Sequence, residues 1–326
     1  MSGEVGHGRG ATGAEVRPVI APREVATGSR RPRRPNYFIV GAPKCGTSSL
    51  FDHLGQHPQV FNSPRKEPFF FGTDLPSVRR PTLEEYLELF GGATSEKAVG
   101  EASTAYLHSR RAASEIRAFE PSARIIVCLR SPVDLIVSFF NYRRWQGAEP
   151  EETLEAALAA ERRREETGAP ALLYRGHAAF TEHLTRYFET FGRDAVHVVL
   201  LDDLRARAEE VYRRTLEFLG VDPTFRPDFR VVNPTLAVRS RAFHRFIARP
   251  PSWLSAAATT LLPLGVRHRI FGRLRRLNSG RGRLPGVPPD VRARLIEEYR
   301  PEVERLSDLL GRDLRHWSEP PRPESS

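Results

Sequence analysis

The chain is short of several things, and each shortage narrows the possibilities. Two cysteines, Cys45 and Cys128, stand alone in 326 residues. That is no disulfide framework and no zinc site, so a reducing compartment is the default. Cys128 lies in an apolar run and reads as core. The ten histidines are scattered without ligand spacing, so no metal is expected. No apolar run is long enough to span a bilayer. The first 34 residues hold no apolar block longer than "VIA", so no export leader is read there and a cytoplasmic protein is expected. Residues 1–34 and 318–326 read as disordered tails around one domain over 35–317. Acidic residues are outnumbered 40 to 50, a net charge of +10. That favours anionic partners: nucleotides, acidic glycans, anionic lipid or nucleic acid. An arginine-rich composition without a functional cause explains the charge equally well. No zinc finger, RNA-binding signature or clear helix-turn-helix is present, so nucleic acid is not expected.

What is there is a strand–helix alternation. "NYFIVG" (36–41), "KAVGEAS" (97–103), "ARIIVCLR" (123–130) and "HVVLLDDL" (197–204) read as buried strands. Helices are expected over 47–56, 109–119, 151–166, 178–191 and 208–219, and one from Ser131 as N-cap with Pro132 at its first position. The pattern predicts an α/β fold: a P-loop-like parallel sheet flanked by helices on both faces. After about residue 235 strand signals stop, and helices over 237–248, 253–262, 266–277 and 290–310 make a helical C-terminal portion.

"FIVGAPKCGTSSLFDHL" (38–54) has the outline of a phosphate-binding loop. Gly41 and Gly46 have Walker A spacing, but Thr47 stands where lysine belongs and the lysine is Lys44. The frame still suits an anion: amides of Lys44, Cys45, Gly46, Thr47, Ser48 and Ser49 sit at a helix N-terminus, and the hydroxyls add donors. Asp202 and Asp203 imitate a Walker B carboxylate; without the matching lysine they read as a strand running into an acidic helix N-cap.

The arrangement G-x-P-K-C-G-T-S-S-L resembles the 5′-phosphosulfate-binding loop of sulfotransferases, which use 3′-phosphoadenosine-5′-phosphosulfate (PAPS). Three segments follow in that family's order. "QHPQVFNSPRKEPFFF" (56–71) looks like the segment of the bacterial and heparan-type enzymes that carries the base. By that resemblance Glu67 takes the acceptor's proton; an apolar wall would raise its pKa and Lys66 would lower it. The bland alternative is a solvated Lys–Glu pair before an aromatic core strand. "GEASTAYLHS" (100–109) is similar to the next motif, but the heparan 3-O-sulfotransferases carry lysine after the glutamate and this chain has Ala102. A second active-site lysine is therefore not carried over there, and an acidic-glycan acceptor is disfavoured. Glu101 either touches the acceptor or holds its own loop. "IIVCLRSPVDLIVSFFNY" (125–142) resembles the 3′-phosphate motif. Arg130 would fork onto the phosphate and Ser138, eight residues on, would add a donor.

The resemblance covers about 36–317 and implies a metal-independent PAPS-dependent sulfotransferase with product PAP. Its acceptor would be a carbohydrate or small molecule; no oligomeric state is implied. Lys44 would stabilise the leaving phosphate. The family's late basic loop has a candidate in "RLNSGRGRLPG" (276–286): Arg281 and Arg283 either wrap the 3′-phosphate or belong to a solvated linker. An apolar stretch over 253–266, followed by seven arginines and no acid before Leu284, is either a helical hairpin packed on the sheet or a membrane-surface contact. The rival readings are a nucleotide-dependent kinase or other P-loop NTPase, a basic nucleic-acid-binding protein, and a sulfotransferase-like fold without catalysis. Phe69, Phe70, Tyr142 and Trp145 either line a pocket or pack in the core.

Overall fold

The computed structural model describes residues 33–75, 80–167, 172–229, 236–238, 279–281 and 287–319. Five parallel strands form one sheet in the order β2-β3-β1-β4-β5. They are β1 (Tyr37–Gly41), β2 (Val60–Asn62), β3 (Ala98–Ala102), β4 (Arg124–Leu129) and β5 (Val196–Leu200). All of β1 and β3 is buried, as is β4 beyond its first residue. That is why β1 and β4 run apolar without alternation: a parallel strand covered on both faces has no polar side; β3 departs from this, with Glu101 buried in it.

The helices that matter to the site follow those strands. α1 (Thr47–Leu54) leaves β1 and packs back against β1, β2 and β3. α2 (Leu83–Glu88) precedes β3 and α3 (Ala112–Phe119) follows it. α4 (Pro132–Gln146) leaves β4. α5 (Leu154–Ala159), α6 (Glu161–Glu166), α7 (Tyr174–His177) and α8 (Phe180–Phe191) lead to β5. α9 (Leu201–Ala206), α10 (Ala208–Leu219) and the long α11 (Pro289–Leu310) complete the frame, with α11 packed on α4 and α8.

β3 lies on one side of β1 and β4 on the other. The crossovers therefore diverge at β1, and the carboxyl ends of these three strands form the crevice where open α/β sheets bind ligands. The loops after β1, β3 and β4 all open there.

Several expectations are corrected. The strand over 197–204 stops at Leu200, and Asp202 and Asp203 lie in the first turn of α9. Asp202 accepts from Trp317 Nε1 at 2.6 Å, and Asp203 pairs with Arg207 and Arg312. These carboxylates fasten the C-terminal segment and are not N-caps. The expected helix over 151–166 is two, α5 and α6, meeting at Ala160. Ser131 is the N-cap of α4 by position, but its buried hydroxyl makes no capping bond. Strand does recur after residue 235: β6 (Leu236–Val238) pairs antiparallel with β7 (Ser279–Arg281), where a helix was expected to begin. The expected helices over 253–262 and 266–277, and the stretch read as a possible membrane contact, lie outside the described residues. Among the described residues no helix is long and apolar enough to cross a membrane.

Candidate active site

The loop after β1 turns on left-handed backbone at Lys44 (φ 64) and Gly46 (φ 88). No side chain caps α1, so its first-turn N–H groups keep no capping partner and face the loop. The Arg130 guanidinium comes to the loop from the end of β4: Nη1 donates to the Lys44 carbonyl at 3.3 Å. Its Nη2 lies 3.4 Å from Asp134, one turn into α4, and Asp134 also takes Arg292 of α11 at 2.6 Å. Burial pushes the Asp134 pKa up, but the two arginines outweigh it and leave the carboxyl below its ordinary value. Arg130 Nε is buried without a partner, a charged donor still to be satisfied. Ser138, half-buried, is one turn beyond Asp134 on the same helix.

Lys44 is exposed, with Nζ 4.6 Å from the Tyr142 ring centroid. Surrounding protein lowers its pKa, and Arg130 and Lys66 lower it further. Cys45 is buried, its thiol against the Pro43 carbonyl, and burial pushes its pKa up. Only its amide is available to a ligand. The Cys128 thiol is likewise core, pushed up to about 12 by burial. Thr47 is buried, and Ser48 and Ser49 are half-buried.

The segment after β2 follows the end of β3, with Ser63 N donating to Gly100 O at 2.8 Å and Glu67 N to Ala102 O at 2.9 Å. Here the backbone is left-handed at Glu67 (φ 57) and Phe69 (φ 54). For side chains of this size that costs of order 1–3 kcal/mol each. The effect is to separate two neighbours. Lys66 Nζ reaches Ser48 Oγ at 2.5 Å and Thr47 Oγ1 at 3.5 Å. Glu67 instead accepts from the backbone N–H and the hydroxyl of Thr104, both at 3.0 Å. Burial raises the Glu67 pKa, opposed by Lys66 and by the Thr104 bonds. The pair is therefore not a solvated one, and 66–71 is irregular, not strand.

Glu101 is fully buried and accepts from Ser103 Oγ at 2.6 Å, Tyr86 OH at 2.9 Å and Tyr106 OH at 3.1 Å. These bonds match the reading in which Glu101 holds its own loop. Burial pushes its pKa up to about 7. Phe70 stacks on Tyr86 at 4.4 Å and Phe71 meets Phe38 edge-on; Phe69 packs against the same core. Tyr142 and Trp145, half-buried, stack at 6.0 Å beside Lys44. Arg281 has its backbone in β7; its side chain and all of Arg283 lie outside the described residues.

Lys44, Cys45, Gly46, Thr47, Ser48, Ser49, Arg130 and Glu67 thus share one crevice, with Ser138 on the helix beside it. Sequence reasoning missed Lys66 and Thr104 as members. Lys66 adjoins Glu67 in sequence, but no local pattern shows that left-handed backbone at Glu67 turns the two side chains to different partners.

The chain resembles known proteins in the same region. It is 30% identical over 151 residues to carbohydrate sulfotransferase 15 of Homo sapiens, covering 33% of this chain and 27% of that protein. It is 26% identical over 302 residues to heparan sulfate glucosamine 3-O-sulfotransferase 6 of Homo sapiens, covering 91% of this chain and 78% of that one. The solved sulfotransferase of Alicyclobacillus acidocaldarius superposes with a TM-score of 0.68 at 28% identity, over 88% of this chain and 100% of that one. A sulfotransferase domain model matches residues 34–235, which include every strand of the sheet and both anion-facing loops; the chain belongs to the sulfotransferase family.

Proposed function

We propose that the protein moves the sulfuryl group of PAPS to a hydroxyl or amine of a carbohydrate or small-molecule acceptor. One observation carries this reading. Glu67, with its raised pKa, is bonded to Thr104, while the residue before it touches the anion loop. A proton acceptor and a phosphate cradle are thereby joined through one peptide bond.

The donor fits the residues present. The uncapped first turn of α1 and Lys44 would hold the 5′-phosphosulfate. The unpartnered Arg130 Nε, with Ser138, would serve the 3′-phosphate. In the transfer, the acceptor oxygen or nitrogen attacks sulfur in line with the 5′-phosphate oxygen. The new bond to sulfur forms as the sulfur–oxygen bond to phosphate breaks. The acceptor's proton passes to Glu67. The electron pair of the broken bond stays on the phosphate of PAP, where Lys44 offsets its charge. Arg130 would separate a 3′-phosphorylated nucleotide from ATP-like ones. A carbohydrate acceptor is supported by the names of the two human relatives and by the Tyr142–Trp145 stack, a flat surface suited to a sugar ring.

Calorimetric titration of the whole chain with PAP, AMP and ATP, without magnesium, tests the reading. Tight binding of PAP alone is expected. Equal binding of all three, or turnover of ATP with magnesium and none of PAPS, would replace it with the kinase alternative.

A further inference from the structure

Lys66 has no part in the chemistry above, yet its placement calls for one. Its Nζ sits at the first turn of α1, on Ser48 Oγ at 2.5 Å and near Thr47 Oγ1 at 3.5 Å. It is half-buried and, among the described residues, forms no ion pair. The nearest acid along the chain, Glu67, is engaged by Thr104. A partly desolvated ammonium resting on two neutral hydroxyls is poorly compensated. It also faces a second cation: Lys66 is among the charges that lower the Lys44 pKa, and burial lowers that of Lys66 itself. Two lysines converge from different segments, one from the loop and one from across it, and Asp52 and Glu67 only partly offset Lys66. An arrangement of like charges around an uncapped helix start is complementary to a polyanion.

We propose that Lys66 is a second catalytic cation, one that exchanges the hydroxyls of Ser48 and Thr47 for non-bridging oxygens of the phosphosulfate. This rests on PAPS being the donor. The transferred group then lies between Lys44, on the leaving oxygen, and Lys66, on the side nearer Glu67. Lys66 gives up no proton. Its charge offsets that on the oxygens of the moving group and the 5′-phosphate while the sulfur–oxygen bond to phosphate breaks and the bond to the acceptor forms. Ser48 and Thr47, released, donate to the same oxygens.

The test compares wild type, Lys66→Met and Lys66→Gln, as whole chains, by titration with PAP, 5′-AMP and adenosine 3′-monophosphate, and by thermal melting without ligand. The glutamine variant serves if methionine fails to fold. Losing one charge-assisted contact should weaken PAP and 5′-AMP by about ten- to a hundredfold. Affinity for the 3′-monophosphate, which lacks the 5′ group, should be unchanged, as should the melting temperature of the free protein. Wild-type affinity for PAP in both variants would overturn the proposal and leave the donor reading standing. So would a uniform loss across all three nucleotides with a lowered melting temperature, which marks Lys66 as a brace for the loop. A wild-type protein that binds none of them overturns both readings.

Discussion

A general base gains by being reluctant to ionise, provided it is ionised at the working pH. As the proposed base, Glu67 is held between these demands. Burial raises its pKa, and Lys66 and the two Thr104 bonds restrain the rise. Glu67→Gln should lower turnover of labelled PAPS by about 10²- to 10⁴-fold, the usual worth of a positioned base, with PAP affinity unchanged by calorimetry; equal loss of both would mark a structural role. Thr104→Val keeps the shape but deletes the hydroxyl that stabilises the carboxylate. The Glu67 pKa should then rise further. Because the base works only when deprotonated, the acid limb of the rate profile should move to higher pH. A pH–rate profile superposable on wild type would separate Thr104 from the base.

At the scale of elements, the site depends on how closely the turn after β3 approaches the end of β1. Ser103 N donates to Ile39 O and Leu107 N to Val40 O. A Cβ added at Gly41 (φ 154) would lie 2.6 Å from Leu107 Cβ and 2.9 Å from the Thr104 carbonyl. Gly41→Ala must therefore push away the turn that holds Glu67. A cost of about 1–3 kcal/mol in denaturant unfolding is expected, with a loss of turnover larger than the loss of PAP affinity; a variant melting and turning over as wild type would show the turn to be slack. The same dependence explains what the sequence made legible. β1 and β4 are continuous apolar runs because both faces are covered, and β5, at the sheet edge, is apolar but for His197, so they could be read directly, as could α8, α10 and α11 from their periodicity. Lys44 was singled out by its place in the loop, and Glu67 and Arg130 by the resemblance of their segments to family motifs. β2 is three residues and carries no pattern. The Lys66 contact and the Thr104 clamp arise from left-handed backbone at a glutamate and from two segments meeting across β3, and neither leaves a local trace.

Across the whole molecule, the buried titratable groups oppose one another in how they couple stability to pH. Burial lowers the pKa of His108 and His197 to about 4 and also lowers those of His177 and His183. His108 and His177 are in ring contact at 4.1 Å, with Phe139 against His177 and with Arg143, Arg186, Asp74 and His183 acting on the pair. For His108 and His197 the unfolded chain binds more protons between about pH 4 and 6.5, and His177 and His183 act in the same direction below 6.5. Their contribution is present above 6.5 and is lost as the pH falls through the folded values. Glu101 runs the other way. Its pKa is about 7 folded against 4.5 in the free residue, so in that window the folded chain binds the extra proton. Its contribution is complete below 4.5 and is lost as the pH rises through 7. Each such proton is worth about 1.4 kcal/mol per pH unit. Glu67 and Asp52, also raised by burial, run with Glu101, but the four lowered histidines outnumber these three carboxyls, so melting temperature should fall from pH 7 to pH 5. Glu101→Gln isolates one of these carboxyls. Glutamine never ionises, so whatever constant offset its altered hydrogen bonds to Tyr86, Ser103 and Tyr106 bring, the variant should gain on wild type as pH rises from about 4.5 to 7 and hold that gain above it. Paired melts across this range measure the gap directly. A gap that stays flat would mean that Glu101 carries the same charge in the folded and unfolded chain, and that its three hydroxyl partners fully replace the water it gave up.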